Sequence, residues 1–181
     1  LGAVIGSLFA GPLSDLYGRK KVLIAIAALY VVSAILSAFA VSFTMLVAAR
    51  MIGGLAFASL VLAPMYIAEI SPAKYRGKMI SINQFNIVVG FSVAYFANYY
   101  LLKMSGGASE LATSLGITEN VWRWMLGLEI VPAFMYLILL FIIPESPRWL
   151  ICNGQQQKAK PILNKLFPEQ DSQLLITEIE Q

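Results

Sequence analysis

Long apolar stretches separated by short charged loops recur along most of the chain. They cover about 22–40, 45–67, 79–102 and 122–143, with a shorter run over about 1–13. An apolar helix of ~20 residues crosses the ~30 Å hydrocarbon core of a bilayer, and a series of them is what a polytopic membrane protein requires. The pattern predicts an all-α membrane protein. Residues 1–143 are expected to form a transmembrane bundle, and 144–181 a helical segment on the cytoplasmic side that the sequence cuts short. The run from Leu1 to Ser14 spans only ~20 Å as helix, so the chain is expected to start inside a transmembrane helix. With no basic n-region and no cleavage site, that run does not read as a signal peptide.

Composition narrows the function. Charged residues make up 13% of the 181 residues, about half the share in soluble domains. The sequence pI is about 9.0, but the bases gather in short loops between apolar runs, which is a topology signal and not a nucleic-acid surface. There is no His and a single cysteine, Cys152. That rules out a His-ligated zinc, a multi-cysteine metal site and a Ser-His triad. No run matches a Walker A loop, and no paired carboxylates or nucleophile–base set suggests a membrane enzyme. Neither a cofactor nor a metal is expected. The expected surroundings are the lipid bilayer and the remainder of the same polypeptide.

The loops set the topology. Between the first two spans, Gly11 to Lys21 reads as a tight loop with Asp15 and the bases Arg19, Lys20 and Lys21, which puts it on the cytoplasmic side. The acid–glycine–arginine spacing favours a structured latch, in which Asp15 pairs with Arg19 or accepts bonds from a neighbouring helix. Val41 to Thr44 makes a short outer turn. Arg50 lies more than a turn inside the third span, deep enough to face a cavity, and Pro64 is expected to kink that span. Glu69 at its end needs a base, and Arg76 and Arg19 are the local choices. The basic loop from Lys74 to Lys78 returns to the cytoplasmic side, as span parity demands. Lys103 to Val121, poor in bases, fits the outer side, and Trp122 and Trp124 fit its interface. Glu129, between Leu128 and Ile130, is a functional candidate by default. It is either a site that loads and releases a proton or the partner of a structural ion pair with Arg50 or Arg123. Glu145 and Arg148 near the last exit are free to bond across helices. Residues 155–166 read as a short polar helix that Pro161 interrupts, and 170–181 as a second surface helix.

The fourth span carries a polar face. Gln84, Ile87, Phe91, Ala94, Tyr95 and Asn98 fall within a stripe ~100° wide on a helix that advances ~100° per residue. Amide, apolar and aromatic groups together suit a sugar, whose hydroxyls pair with amides and whose C–H face stacks on rings. Gln84 is assigned to the ligand. Asn83, Asn86 and Asn98 are equally well explained as hydrogen bonds between helices.

Several motifs resemble the major facilitator superfamily, and within it the sugar porter family. Asp15-x-x-Gly18-Arg19-Lys20 resembles the loop between family helices two and three, and Arg50-x-x-x-Gly54 resembles helix four. Pro64-Met-Tyr-x-Ala-Glu69-x-Ser-Pro-x-x-x-Arg76-Gly77 resembles the join of helices four and five. Trp122-Arg-Trp and Pro144-Glu-Ser-Pro-Arg148-Trp149 resemble the flanks of helix six. The resemblance implies that the five spans are helices two to six of a twelve-helix carrier, part of its N-terminal six-helix bundle, with a start of the cytoplasmic helices. It implies multi-pass placement in the plasma or inner membrane and transport of a monosaccharide by alternating access. Gln84 then contacts the sugar, with Ile87 and Phe91 beside it. Phe91 stands where some bacterial symporters have a second glutamine, which makes the pocket more apolar. Asp15, Arg19, Glu69, Arg76, Glu145 and Arg148 form a cytoplasmic gate network. Arg50 and Glu129 resemble residues of proton-coupled members, which implies symport with H+. A facilitated-diffusion uniporter and a non-transporting sugar sensor are the alternatives.

Overall fold

The structure is a computed structural model that describes residues 1–72, 74–106, 117 and 120–166. Most of the expected outer loop and the surface helix at 170–181 lie outside the described residues. Seven helices account for nearly all of what is described, and no strand occurs among these residues.

Helix α1, Gly2–Tyr17, runs straight through Pro12. The expected loop from Gly11 to Lys21 thus shrinks to one residue, Gly18, whose φ of 97° turns the chain directly into α2, Arg19–Ala38. Proline is tolerated within a membrane helix where neighbours and local adjustment re-satisfy the freed carbonyl. Asp15 and the bases therefore sit on two helix ends. Ser42 caps the next helix by accepting from the Met45 N–H at 3.2 Å. That helix, α3, covers Phe43–Ile70 and tightens to a 3-10 turn at Ala56–Ala58. A short connection leads to α4, Arg76–Gly106, at 31 residues the longest element. Helix α5, Val121–Ile142, loses its regular pattern at Leu128 and Glu129. Pro132 explains the break: it has no N–H to offer the Leu128 carbonyl one turn back. Two short helices follow, α6 at Pro147–Cys152 and α7 at Gln156–Leu166, the latter running through Pro161.

Helices α2, α3, α4 and α5 are long and apolar enough to cross a membrane. In lipid the hydrophobic effect does not drive helices together, so close approach at small residues must. Gly2 and Gly6 of α1 lie against the α3 backbone at Met51, Gly54 and Leu55. A Cβ on Gly53 would stand 2.5 Å from the Ser33 hydroxyl of α2. That hydroxyl donates to the Ala49 carbonyl of α3 at 2.8 Å, so α2 and α3 are joined by a buried hydrogen bond. The main core lies where α1, α2, α3 and α5 meet and is built largely of alanines around Leu23, Leu62, Tyr66 and Leu140. A second small core joins α6 to α7 through Trp149, Leu150, Ile151, Ala159 and Leu163. Helix α4 differs from both: it packs on the last part of α3 and the first part of α5 and buries none of its residues.

Candidate functional site

At the basic end of the bundle, α1, α2, α3 and the approach to α6 converge on one charge cluster. Arg19, at the start of α2, is its centre. Its Nη2 lies 2.9 Å from Asp15 Oδ1 and 3.0 Å from Glu69 Oε1. Its Nε donates to Glu69 Oε1 at 3.1 Å and its Nη1 to the Ser14 carbonyl at 3.1 Å. The Arg19 and Glu69 side chains are 12% and 9% exposed, whereas Asp15 is 67% exposed. The Arg19–Glu69 contact is therefore the shielded one, where charge-assisted hydrogen bonds are strongest. Glu69 has a second partner: the Ser146 hydroxyl donates to its Oε2 at 2.5 Å.

Glu145 sits beside this cluster in a different role. Its Oε1 accepts the Lys20 N–H at 2.8 Å and the Ser146 N–H at 3.0 Å. The first turn of α2 has no acid of its own. Glu145 thus caps that helix from a distant segment, and its negative charge meets the positive end of the helix dipole. The Trp149 indole N–H donates to the Asp15 carbonyl at 2.8 Å, and the Tyr66 hydroxyl to the Pro144 carbonyl at 2.7 Å. Both bonds tie the post-α5 segment to the bundle. Arg76 and Arg148 stand apart. Each is exposed and has no hydrogen-bond or ion-pair partner among the described residues.

Toward the opposite end, α3 and α5 carry the second cluster. Arg50 Nη1 and Nη2 donate to Glu129 Oε2 and Oε1 at 3.0 and 3.3 Å, a two-point fork on one carboxylate. Both side chains are 41% exposed. The break in α5 is at Glu129 itself, so the carboxylate projects from an interrupted turn. Arg123 is engaged elsewhere: it donates to the Ala40 carbonyl at 3.1 Å and lies over the Trp122 ring. Of the two arginines open to Glu129 on sequence grounds, Arg50 is the one that pairs with it.

Gln84 and Phe91 lie on exposed parts of α4, and Phe91 keeps 71% of its surface. Ile87 is half-buried. Exposure does not set this stripe apart, since α4 buries none of its residues within this chain. Three contributors escaped the sequence reading: Ser146, Tyr66 and Trp149. Ser146 had a signal, since a serine before Pro147 is a helix-cap pattern. Nothing local in the sequence marks the long-range bonds of Tyr66 and Trp149.

The profile of the sugar (and other) transporter family matches residues 1–181. A glucose transport protein of Synechocystis is 40% identical over 167 residues, covering 92% of this chain and 35% of that protein. The D-xylose-proton symporter of Escherichia coli K12 is 37% identical over 186 residues, covering 92% of this chain and 36% of that protein. The chain therefore spans about a third of the length of these curated relatives. Among solved structures, the partially occluded inward-open xylose transporter XylE from E. coli superposes with a TM-score of 0.86 at 35% identity, over 99% of this chain and 45% of that one. XylE bound to 6-bromo-6-deoxy-D-glucose gives the same TM-score over 98% and 40%. With its family profile, its transporter relatives and its fold in agreement, this multi-pass membrane chain belongs to the sugar porter family of the major facilitator superfamily.

Proposed function

We propose that the chain is part of a monosaccharide carrier of the plasma or inner membrane that works by alternating access and couples uptake to protons. The observation that carries this reading is the Arg50–Glu129 fork between two membrane-spanning helices. An acid within a membrane span is a functional candidate by default, and a proton relay is one of the uses such acids serve. Protonation of Glu129 neutralises the acceptor, weakens both bonds to Arg50 and frees α3 and α5 to shift relative to each other. The break in α5 at Glu129 gives that shift a place to occur.

The other clusters take complementary roles in this reading. Gln84 hydrogen-bonds sugar hydroxyls, with Phe91 and Ile87 covering the apolar face of the ring. The rest of the carrier encloses the solute near the midplane, where such carriers bind it. The Arg19–Glu69–Ser146 cluster, with Asp15 and Glu145, holds the cytoplasmic ends together while the site faces outward. Arg76 and Arg148, unpaired in this arrangement, supply charge for contacts with the other half. Glucose, xylose and arabinose are substrates in the names of relatives, which favours a hexose or pentose as the cargo.

Uptake into proteoliposomes by the full-length protein, with and without an inward proton gradient, tests the reading. Accumulation above equilibrium should need the gradient and should vanish in Glu129→Gln, while sugar exchange persists. Gradient-independent equilibration by the unaltered protein would establish uniport instead. Gln84→Ala should raise the KM for sugar about ten-fold, the value of one well-made hydrogen bond. An unchanged KM would remove Gln84 from the binding site.

A further inference from the structure

A groove between α1 and α2 has no part in the clusters above. It has a volume of about 560 Å³ and almost wholly apolar walls, with Ile5, Phe9 and Leu13 on one side and Ala25 and Leu29 on the other. These side chains keep much of their surface exposed. Along α1 the groove runs from Ile5 to Tyr17, which is ~18 Å at 1.5 Å per residue, close to one leaflet's share of a ~30 Å hydrocarbon core.

The basic end of the groove is chemically distinct. Tyr17 and Lys21 form its rim. Neighbouring bases are committed: Arg19 to Asp15 and Glu69, and Lys20 to the Phe141 carbonyl at 3.0 Å. Lys21 is exposed and has no hydrogen-bond or ion-pair partner among the described residues. A free ammonium and a phenol thus stand at headgroup level over an apolar slot one leaflet deep.

We propose that this groove seats one anionic phospholipid of the cytoplasmic leaflet, with an acyl chain along α1 and α2 and the phosphate on Lys21 and the Tyr17 hydroxyl. Charge complementarity selects this occupant over a further helix. An apolar helix laid in the groove would cover the Lys21 ammonium without giving it a counter-charge, which is costly. A phospholipid supplies the anion and the chain in one molecule.

Native mass spectrometry of the purified protein, offered equal amounts of phosphatidylglycerol and phosphatidylcholine with identical chains, tests the site. One phosphatidylglycerol should be retained preferentially. Lys21→Gln should cut that retention about five-fold, the effect of one base near an anionic headgroup. Lys165→Gln, on the exposed side of α7, should leave it unchanged. Ala25→Trp, which fills the slot, should reduce retention of both lipids. Equal losses in the two lysine variants would mean diffuse attraction and overturn the proposal, as would full retention in Ala25→Trp. A photo-crosslinking residue at position 9 gives a check that does not depend on those variants. It should capture lipid, and capture of polypeptide would assign the groove to a helix.

Discussion

At Gly18 the chain reverses from α1 into α2 with a φ of 97°, and a Cβ there would stand 2.6 Å from Glu145 Oε2. Both facts oppose any other residue. The left-handed region strains an L side chain, and the carboxylate that caps α2 would have to leave its seat. Gly18→Ala should therefore destabilise the protein by roughly 2–3 kcal/mol. Gly11, within α1 and with open space around it, is the matched control. Gly11→Ala should be neutral or stabilise by roughly 0.5–1 kcal/mol, because glycine is a poor helix former. Thermal melts of both variants in detergent check the contrast, and equal losses would refute the account. The Asp15–Arg19 link was legible in the sequence, since an i, i+4 pair across a glycine turn is a short-range pattern. Glu69 was legible only as an acid in need of a base. Its choice of Arg19 over Arg76, and its bond from Ser146, depend on how α1, α2 and α3 converge, which no local spacing encodes.

Proline acts differently in each helix that contains it. Pro12 and Pro64 sit within helices that continue past them, whereas Pro132 coincides with the break at Leu128 and Glu129 in α5. The sequence placed a kink at Pro64 and read Pro12 as part of a loop, but the outcome rests on whether neighbours re-satisfy the freed carbonyl, which no local pattern encodes. Pro132→Ala restores an N–H for the Leu128 carbonyl and should stabilise α5 by roughly 1–3 kcal/mol. The same change should slow transport, because Glu129 would be carried on a regular turn with less freedom to part from Arg50. A higher melting temperature with slower uptake is the expected pair of results. Faster uptake would show that the break hinders the cycle. Helix ends were less legible than helix existence: α4 runs past the apolar stretch at 102 through Lys103 to Gly106. Apolarity measures the bilayer, while hydrogen bonding decides where a helix stops.

Across the whole molecule, charge placement and chain reversal must agree on which end faces the cytoplasm. Bases cluster at the Gly18 turn, at the start of α4 and on α6 and α7, whereas the α2–α3 turn carries none. Cys152, the sole cysteine, ends α6 and is exposed. A membrane-impermeant maleimide should label it in inside-out vesicles and not in right-side-out ones. In a Cys152→Ser background, Val41→Cys should give the reverse pattern, since Val41 lies at the α2–α3 turn with 83% of its surface exposed. Labelling of both from one side would invalidate the topology.

Helix α4 buries none of its residues against the rest of the chain, although it is the longest element and carries Gln84. No helix of this chain claims its outward positions, and the chain spans about a third of its curated relatives, so what those positions meet is lipid or the remainder of the carrier. On the proposed reading, substitutions there change what is recognised without disturbing contacts inside this chain, whereas the alanine core and the glycine crossings of α1 and α3 tolerate few replacements. Selection for a new sugar, in nature or in the laboratory, should therefore gather its accepted changes on α4 and leave the α1–α3 crossing as it found it.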